Sequence, residues 1–419
     1  MHVLYFHQHF STPKGSAGTR SFEMAQALIR EGHTVKMVCG SYVQGKTGLN
    51  GSFEQGQRRG VVDGIEVIEF DLNYGNHMGF MQRLRTFLKF ALGSVTVALR
   101  EPADVVFATT TPLTAGIPGI FARLLTRKAF VFEVRDLWPE LPKAMGVITN
   151  PVVLWLMSVL EWASYRSADR MVGLSPGIVE GIASRGADRS RIALVPNGCD
   201  LDLFAKSEEA WRPAEVRDDQ LLAIFTGTHG HANGLDSVLE AAEVLKERGV
   251  DDSRIALVGQ GREKPRLMAK AKKRGLDNVL FLDPVPKTEL VKLMAGADIG
   301  LQVLSNVPAF YYGTSPNKFF DYISAGLPVL NNYPGWLADL ITENNCGFAI
   351  PPDNPTAFAD ALIQASEDRE ALRNQGVNSQ SLARSRFARS QLSAEWVRWV
   401  TGAALETSKQ KNGEFTRCD

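Results

Sequence analysis

The sequence lacks several features that would indicate particular classes of protein. It has only four cysteines, Cys39, Cys199, Cys346 and Cys418, and no two of them form a Cys-x-x-Cys pair. Such wide spacing argues against a disulfide framework or a zinc site and predicts a reducing, cytoplasmic environment. The 46 basic and 46 acidic side chains cancel, so the basic excess typical of nucleic-acid-binding proteins is missing and no nucleic-acid partner is expected.

Long apolar runs are missing as well. The longest, residues 151–160, is much shorter than the roughly 18 residues that span a membrane, and Glu161 follows it. The first ten residues enter a strand pattern and do not have the three regions of a signal peptide. With 44% hydrophobic and 22% charged residues over 419 positions, the composition predicts a globular protein of about two domains.

Short apolar strands alternate with helical segments along nearly the whole chain. This alternation predicts an α/β fold with parallel sheets and helices on both faces. The pattern pauses in a charged stretch at 201–220 and then restarts, so we predict two Rossmann-like, doubly wound domains, 1–205 and 206–385. A helix at 386–405 should pack back on the N-terminal domain, and 406–419 reads as a polar tail. Because ligands of such sheets bind at the carboxyl ends of strands, we expect the site in a cleft between the domains.

A glycine-containing loop separates the first predicted strand from the first helix. Gly15 and Gly18 would let backbone amides approach a phosphate, and Arg20 would add a positive charge. A tight turn capped by Ser16 or Thr19 is the alternative. The loop is not a Gly-x-Gly-x-x-Gly motif and no acidic residue ends the second strand, which argues against a dinucleotide-dependent dehydrogenase.

Histidines and a charged segment follow two strands of the first predicted domain. His7 and His9 alternate onto one face at the end of the first strand, where they either contact a substrate or have structural roles. After the strand at 129–134, a carboxylate would bind a sugar hydroxyl or accept its proton; an Arg–Asp pair that only fixes the loop is the alternative. We therefore predict Glu133 and Asp136 as catalytic residues. The predicted acceptor-binding residues are His7, His9, Arg135, Asp136 and Trp138.

Glycine-rich loops recur after successive strands of the second predicted domain, which predicts phosphate binding at helix starts. The segment 314–329 then places Lys318 in the first turn of a helix with Asp321 one turn later. We predict that Lys318 contacts a diphosphate and acts in catalysis, and that Asp321 contacts ribose hydroxyls; a helical salt bridge between them is the alternative. The predicted donor-binding residues are Gly15, Gly18, Arg20, Gly227, Thr228, His229, Arg262, Val285, Asn317, Lys318 and Asp321.

Together these motifs resemble glycosyltransferase family 4, whose members have the GT-B fold of two Rossmann-like domains facing a cleft. The resemblance covers residues 1 to about 400 and rests on the glycine loop at 15–20, on Gly-His-Thr-Val at 32–35, on Val-Pro-Asn-Gly-Cys-Asp at 195–200, on Val-Gly-Gln-Gly at 258–261 and on 321–329. The Phe-His-Gln-His-Phe start and the Arg-Asp-Leu-Trp-Pro-Glu segment are similar to those of WbuB-like L-fucosamine transferases of O-antigen assembly.

The resemblance implies a retaining transferase that uses no metal or other cofactor. It would move a sugar, such as an N-acetylated amino sugar, from a UDP-sugar to a lipid-linked saccharide acceptor in surface polysaccharide synthesis. The sequence departs from the family at Thr228 and Asn233, where an Arg and a Lys usually contact the donor diphosphate, and at Gly313, where a Glu is usual. The negative charge of the diphosphate is then expected to be met by Lys318, with Arg262 and Arg20 as further candidates.

Residues 79–100 predict an amphipathic helix with Arg83, Arg85 and Lys89. Such a helix either lies on the inner face of the cytoplasmic membrane or packs on its own sheet. The only Asp-x-Asp, at 200–202, reads as turn chemistry and not as a metal site. Two other functions stay open: a sugar-nucleotide epimerase or phosphorylase on a related fold, and a nucleotide-sugar-binding subunit without activity.

Overall fold

The computed structural model describes residues 1–15, 18–43, 45–75, 78–205 and 209–411. The chain divides into two compact units: unit 1 is Met1–Pro196 with Ser390–Asp419, and unit 2 is Asn197–Arg389.

The unit boundaries differ from the predicted ones at 205/206 and 385/386. The described residues of the charged stretch 201–220 belong to unit 2. The backbone N–H of Asn197 donates to Ser315 Oγ at 3.1 Å, and Arg212 Nη1 donates to the Gly296 carbonyl at 2.7 Å.

Among the described residues, unit 1 contains an eight-stranded sheet with the order β3-β4-β2-β1-β5-β6-β7-β8. Its strands are β1 (His2–Phe6), β2 (Thr34–Tyr42), β3 (Gln57–Val62), β4 (Ile65–Tyr74), β5 (Val105–Thr109), β6 (Ala129–Val134), β7 (Arg170–Gly173) and β8 (Ile192–Leu194). Only β3 runs antiparallel to its neighbour. β5 and β6 are buried at every residue, as expected for strands covered on both faces. Strand β3 was not among the predicted strands, because its polar sequence carries no apolar run and forms an exposed edge.

In the described part of Met1–Pro196, unit 1 has six α-helices. They are α1 (Arg20–Arg30), α2 (Phe80–Arg100), α3 (Ile117–Thr126), α4 (Glu140–Ala144), α5 (Pro151–Ser167) and α6 (Pro176–Ser184). Helix α3 packs against both α2 and α5, so the three helices form one layer beside the sheet.

Unit 2 has a six-stranded parallel sheet in its described residues, with the order β11-β10-β9-β12-β13-β14. Its strands are β9 (Leu221–Thr226), β10 (Ser253–Val258), β11 (Val279–Leu282), β12 (Ile299–Gln302), β13 (Val329–Asn331) and β14 (Gly347–Ala349). This is the strand order of a Rossmann fold. The six strands β4-β2-β1-β5-β6-β7 of unit 1 have the same order. Each unit therefore has a switch point where the strand order reverses, between β1 and β5 in unit 1 and between β9 and β12 in unit 2.

The helices of unit 2 are α7 (Leu201–Ala205), α8 (Asp236–Glu247), α9 (Lys264–Arg274), α10 (Lys287–Gly296), α11 (Ala309–Gly313), α12 (Asn317–Ser324), α13 (Trp336–Glu343), α14 (Pro355–Glu367) and α15 (Arg369–Arg386). The core lies where β9, β10 and β12 meet α8 and α14, and Phe225, Leu257 and Leu301 are wholly buried in it.

The last helix, α16 (Arg389–Lys411), packs on the sheet of unit 1. Trp396 is wholly buried, and its ring lies 4.8 Å from that of Phe107 and 6.0 Å from that of Tyr5. The helix extends into the predicted polar tail, because Glu406 forms an ion pair with Arg170 at 2.5 Å. Residues 412–419 of that tail lie outside the described residues. None of the described helices is both long and apolar enough to cross a membrane.

Candidate functional site

The switch point of unit 2 is held open by one tyrosine. Strands β9 and β12 pair only up to Gly300 and Ile224, which leaves the backbone N–H of Thr226 without a strand partner. Tyr322 of α12 fills the gap, and its hydroxyl accepts that N–H at 2.9 Å. At Gly300 a side-chain Cβ would lie 2.4 Å from the Tyr322 ring, so glycine is required for this approach. Helix α12 is thereby fixed against the two strands.

Lys318 lies one turn before Tyr322, at the start of α12. Its Nζ donates to Asn233 Oδ1 at 2.7 Å and lies 4.5 Å from the centre of the Phe225 ring. Asn233 in turn donates to the carbonyl of Thr228 at 2.7 Å. The ammonium group of Lys318 therefore lies against the loop that follows β9, beside Asn233. Asn233 stands where the resemblance leads one to expect a basic residue.

The surroundings of Lys318 favour its neutral form. Burial lowers the pKa of Lys318 to about 7, because the ammonium group has lost much of its hydration. An ammonium has three donors, and among the described residues Asn233 is the acceptor within hydrogen-bond distance. A lysine that titrates near neutrality beside a loop is typical of a functional site.

Two glycines bring the loops after β9 and β10 together below Lys318. Gly227 has a φ of +141°, and a Cβ there would lie 3.5 Å from Cε of Lys318. At Gly259 a Cβ would lie 1.9 Å from the Gly227 carbonyl oxygen. Backbone without side chains thus lines this part of the site, as phosphate binding requires.

His229 lies inside unit 2 and not on its surface. The side chain is wholly buried, and its backbone N–H donates to the Gln260 carbonyl at 3.0 Å. Burial, with a contribution from Lys264, lowers the pKa of His229 to about 4, so the imidazole is neutral. Both ring nitrogens lack a hydrogen-bond partner among the described residues, so the donor contact of His229 stays a prediction, while its backbone joins the loops after β9 and β10.

The other predicted donor-binding residues of unit 2 lie on loops after strands or at a helix start. Thr228, Arg262 and Asn317 are exposed, and Val285 is partly exposed in the loop after β11. Their positions allow contact with a ligand but do not show one.

Asp321 belongs to an ion-pair cluster. Its Oδ1 lies 3.4 Å from Lys287 Nζ, which also pairs with Asp200 at 2.5 Å, and Arg389 forms a further ion pair with Asp200. Burial raises the pKa of Asp321 although Lys287 opposes the shift. The alternative of a Lys318–Asp321 salt bridge is not what forms, and Asp200 is engaged by Lys287 and Arg389.

In unit 1, Arg20 and Glu133 form a buried ion pair. Arg20 is 3% exposed and Glu133 is 0% exposed, and Arg20 Nη2 and Nε donate to Glu133 Oε2 at 2.9 and 3.1 Å. Arg20 Nη1 donates to the Pro196 carbonyl at 2.7 Å. Burial alone would raise the pKa of Glu133, but the guanidinium groups of Arg20 and Arg135 lower it. The predicted phosphate contact of Arg20 and catalytic role of Glu133 are corrected to a structural role, because both side chains are enclosed and paired.

Asp136 has a different environment, just beyond the end of β6. Its Oδ2 accepts a hydrogen bond from Thr111 at 3.2 Å, and burial raises its pKa. Arg135 does not pair with it but donates to Thr109 Oγ1 at 2.8 Å and to Glu133 Oε1 at 3.3 Å. The alternative of an Arg135–Asp136 pair is thus not what forms, and the carboxyl group of Asp136 is the one suited to a reacting hydroxyl.

Several buried polar atoms near the ends of β1 and β6 have no hydrogen-bond partner among the described residues. They are His7 Nδ1, His9 Nδ1, both amide atoms of Gln8 and Nε1 of Trp138. The rings of His7 and His9 lie 6.5 Å apart, and burial and Arg135 lower the pKa of both. Unpaired buried polar atoms are costly, so these atoms are candidates for ligand contacts. Gln8 was missed in the sequence analysis, although it stands between the two histidines.

His9 also lies against three aromatic rings. The centres of the Tyr74, Tyr42 and Phe87 rings are 4.4, 5.1 and 6.3 Å from that of His9. These rings come from β4, β2 and α2, so no local sequence pattern would have connected them.

The glycine loop of unit 1 is only partly described. Gly15 donates its N–H to the Thr12 carbonyl at 3.0 Å, and Gly18 is exposed before α1. The side chain of Thr19 does not cap α1, and Ser16 and Ala17 lie outside the described residues. Nowhere in the described part of the chain do three His, Cys, Asp or Glu side chains gather where they could hold a metal ion.

Comparisons with known proteins match both units. Residues 15–198 match the family described as "Glycosyl transferase 4-like domain", and residues 207–381 match "Glycosyl transferases group 1". The chain is 22% identical to the putative colanic acid biosynthesis glycosyl transferase WcaI of Escherichia coli K12, over 78% of this chain and 82% of that protein.

Solved structures share the fold at low identity. Sucrose-phosphate synthase from Thermosynechococcus elongatus has a TM-score of 0.75 at 15% identity and covers 97% of this chain and 99% of its own. Anabaena HepE in complex with UDP has a TM-score of 0.67 at 18% identity, with 96% and 100% covered.

The fold of two Rossmann-like units and the matched domains make this chain a GT-B glycosyltransferase. Within that class it combines a glycosyl transferase 4-like domain with a domain of the glycosyl transferases group 1.

Two neighbouring carboxyl groups give a matched test of the assignments in unit 1. Glu133→Gln should lower the free energy of unfolding by about 3–5 kcal/mol, because it leaves Arg20 buried without its counter-charge. Asp136→Asn should leave stability unchanged or raise it, because it removes a buried carboxylate whose pKa is raised. Chemical denaturation at neutral pH measures both.

The pH dependence provides the control. The pKa of folded Glu133 is below the ordinary value of 4.5, so its stabilising contribution is fully present above pH 4.5. It is lost as the pH falls through the lower, folded pKa. The gap between wild type and Glu133→Gln should therefore close in acid; a gap that is small at neutral pH would refute the structural role.

Proposed function

We propose that the chain transfers a sugar from a UDP-sugar to a lipid-linked saccharide acceptor in the synthesis of a bacterial surface polysaccharide. The observation that carries the proposal is the position of Lys318 Nζ, 2.7 Å from Asn233 Oδ1. The loop after β9 lacks the basic residues that the resemblance leads one to expect, and α12 supplies a cation at the same place. A diphosphate bound there would meet this charge and the start of α12 together.

The relatives support the choice of pathway. WcaI is named for colanic acid biosynthesis, which supports a role in surface polysaccharide synthesis. HepE was solved with UDP, which supports a UDP-linked donor. An N-acetylated amino sugar such as L-FucNAc is our proposal for the donor sugar, and it rests on the resemblance at the Phe-His-Gln-His-Phe start and the Arg-Asp-Leu-Trp-Pro-Glu segment.

In the proposed reaction the bond between the anomeric carbon and the diphosphate oxygen breaks as the acceptor oxygen bonds to the same face of the sugar. The acceptor proton passes to the departing phosphate, so the anomeric configuration is retained. Lys318 stabilises the negative charge that develops on the diphosphate, which fixed cations can do without a metal ion. Asp136 orients the acceptor hydroxyl. The unpaired polar atoms of His7, Gln8 and Trp138 form hydrogen bonds with the acceptor.

Replacement of the lysine tests the donor site. Lys318→Met should weaken UDP binding about 10- to 100-fold, because a hydrogen bond to a charged group contributes about 1.5–3 kcal/mol. Isothermal titration calorimetry measures the change. Lys246→Met is the matched control, since this lysine is exposed in the same unit and donates to the carbonyls of Arg274 and Gly275.

A second substitution shows whether the position of the charge is what matters. Asn233→Lys in the Lys318→Met background places a cation on the loop itself and should restore most of the UDP affinity. Asp136→Asn should bind UDP normally and lose transfer of labelled sugar to lipid-linked acceptor extracted from the native bacterium. Normal UDP binding by Lys318→Met would exclude Lys318 from the donor site.

The pKa of about 7 for Lys318 predicts a pH dependence of donor binding. Below that pH the free protein already carries the charge. Above it, a bound diphosphate raises the pKa of the lysine, so binding takes up a proton and UDP affinity falls as the pH rises.

Calorimetry near pH 8 in two buffers of different ionisation enthalpy should detect uptake of roughly one proton. Lys318→Arg, which stays charged, should show neither the uptake nor the fall in affinity. Equal proton uptake in wild type and Lys318→Arg would contradict the assignment.

A lipid-linked acceptor implies contact with a membrane, and we assign it to the helix layer of unit 1. Large apolar side chains on its three helices are 42–70% exposed. These residues, the three-helix surface, are Met81, Leu88, Leu92, Phe121, Leu124, Leu125, Val152, Trp155, Leu156, Val159 and Trp162. Contiguous apolar patches mark interaction sites, and tryptophans favour the membrane interface.

Basic residues on α2 complement this surface. Arg85 and Lys89 are exposed, as a helix on an anionic membrane requires. Arg83 does not belong with them, because its Nε donates to the Met78 carbonyl at 2.9 Å and its guanidinium lies over the Tyr74 ring. Of the three basic residues predicted to contact the membrane on α2, we therefore keep Arg85 and Lys89. We add the exposed apolar side chains of α3 and α5 to the proposed membrane-contact surface.

Trp155→Ser with Trp162→Ser should weaken binding to anionic vesicles roughly tenfold for each tryptophan, because each loses apolar area that the membrane would cover. Vesicle co-sedimentation measures the loss. Trp211→Ser is the matched control, since Trp211 is 45% exposed on unit 2. Unchanged vesicle binding, or a change from dimer to monomer without vesicle binding, would refute the membrane assignment in favour of a protein contact.

A further inference from the structure

A cavity lies in unit 1 beside the amino ends of β6, β7 and β8, at the edge of the sheet opposite Asp136. Its volume is about 800 Å³. Charged side chains dominate its lining, and they are Arg123, Arg127, Arg166, Arg191, Asp169 and Glu406. None of them belongs to the predicted acceptor or donor sites.

Both carboxylates of this cavity are already neutralised. Asp169 Oδ1 lies 2.9 Å from Arg123 Nη2, and Asp169 Oδ2 accepts the backbone N–H of Phe130 at 2.9 Å. The two oxygens of Glu406 accept from Nε and Nη2 of Arg170 at 3.1 and 2.5 Å. Neither carboxylate is left to balance the remaining arginines.

Three guanidinium groups therefore keep their charge. Arg127 and Arg166 are exposed, and no ion pair or hydrogen bond of theirs is found within the described residues. Arg191 Nε donates to the carbonyl of Asp169 at 2.8 Å, which orients the group without cancelling its charge. Arginines left unpaired around one cavity favour a phosphate, since the guanidinium fork matches phosphate oxygens.

The rim of the cavity includes one exposed apolar side chain. Leu124 lines it and is 68% exposed, and it is part of the three-helix surface. We propose that this cavity, the arginine pocket, holds the phosphate headgroup of an anionic phospholipid while Leu124 and its neighbours contact the acyl region. A free phosphate would leave the apolar rim unused, which favours the lipid as the source. The proposal rests on the membrane contact proposed above and names the lipid chemistry that this contact selects.

Arg127→Gln with Arg166→Gln tests the pocket. Both side chains are exposed and unpaired, so the variant should fold, bind UDP and unfold at the same temperature as wild type. Its affinity for phosphatidylcholine vesicles that contain phosphatidic acid should fall roughly 25-fold, about fivefold for each charge. Affinity for pure phosphatidylcholine vesicles should not change.

Arg30→Gln with Arg189→Gln is the matched control, since both arginines are exposed in unit 1 and the net charge changes equally. An equal loss of vesicle affinity in this control would show that only net charge matters, and it would overturn the proposed headgroup site. Retained affinity of the Arg127/Arg166 variant would overturn it too. Inorganic phosphate that binds wild type as tightly as the vesicles do would overturn the lipid assignment.

The same assay separates this proposal from the broader one. Wild type that binds no vesicles would refute the membrane contact as a whole. Wild type that binds, is weakened by Trp155→Ser with Trp162→Ser, and is unaffected by Arg127→Gln with Arg166→Gln would refute the arginine pocket alone.

Discussion

The hydrogen bond between the Tyr322 hydroxyl and the backbone of Thr226 is the constraint on which the candidate donor site depends. Where β9 and β12 stop pairing, a buried N–H without a partner would cost about 1–3 kcal/mol. The tyrosine supplies the partner and fills the gap over Gly300. Helix α12 cannot slide or rotate without losing both contacts, so Lys318, one turn earlier, is held beside the loop after β9.

Because α12 is fixed, the backbone of Lys318 is placed by the contacts of Tyr322 and not by the loop after β9. A diphosphate needs cations and backbone donors that are placed before it arrives. Electrostatics determines where the charge must lie but not which element provides it. The amide of Asn233 carries no charge and instead accepts a hydrogen bond from the lysine that does. The departures at Thr228 and Asn233 are therefore consistent with donor binding, since the charge missing from the loop is present on the helix.

The sequence predicted the α/β fold and many element bounds, because buried strands such as β6 and β9 are continuous apolar runs between clear turns. It failed where partners are distant in the chain. Arg20 looked like a phosphate ligand because Glu133, its buried partner, lies far along the sequence. Lys318 and Asp321 do share a helix face, yet each takes its partner from another element. The edge strand β3 was missed because its pairing with β4 carries no apolar signal.

The two carboxylates at the end of β6 show how strand geometry separates structure from chemistry. Glu133 is the last but one residue of the strand, so it points into the unit and binds Arg20 and Arg135. Asp136 lies beyond the strand, where the alternation has ended and the hydroxyl of Thr111 is its neighbour. The unpaired atoms of Gln8 and Trp138 lie in the loops that follow β1 and β6. A ligand that satisfies those atoms would offset a cost already present in the free protein, so selectivity at this site should follow hydrogen-bond pattern more than shape.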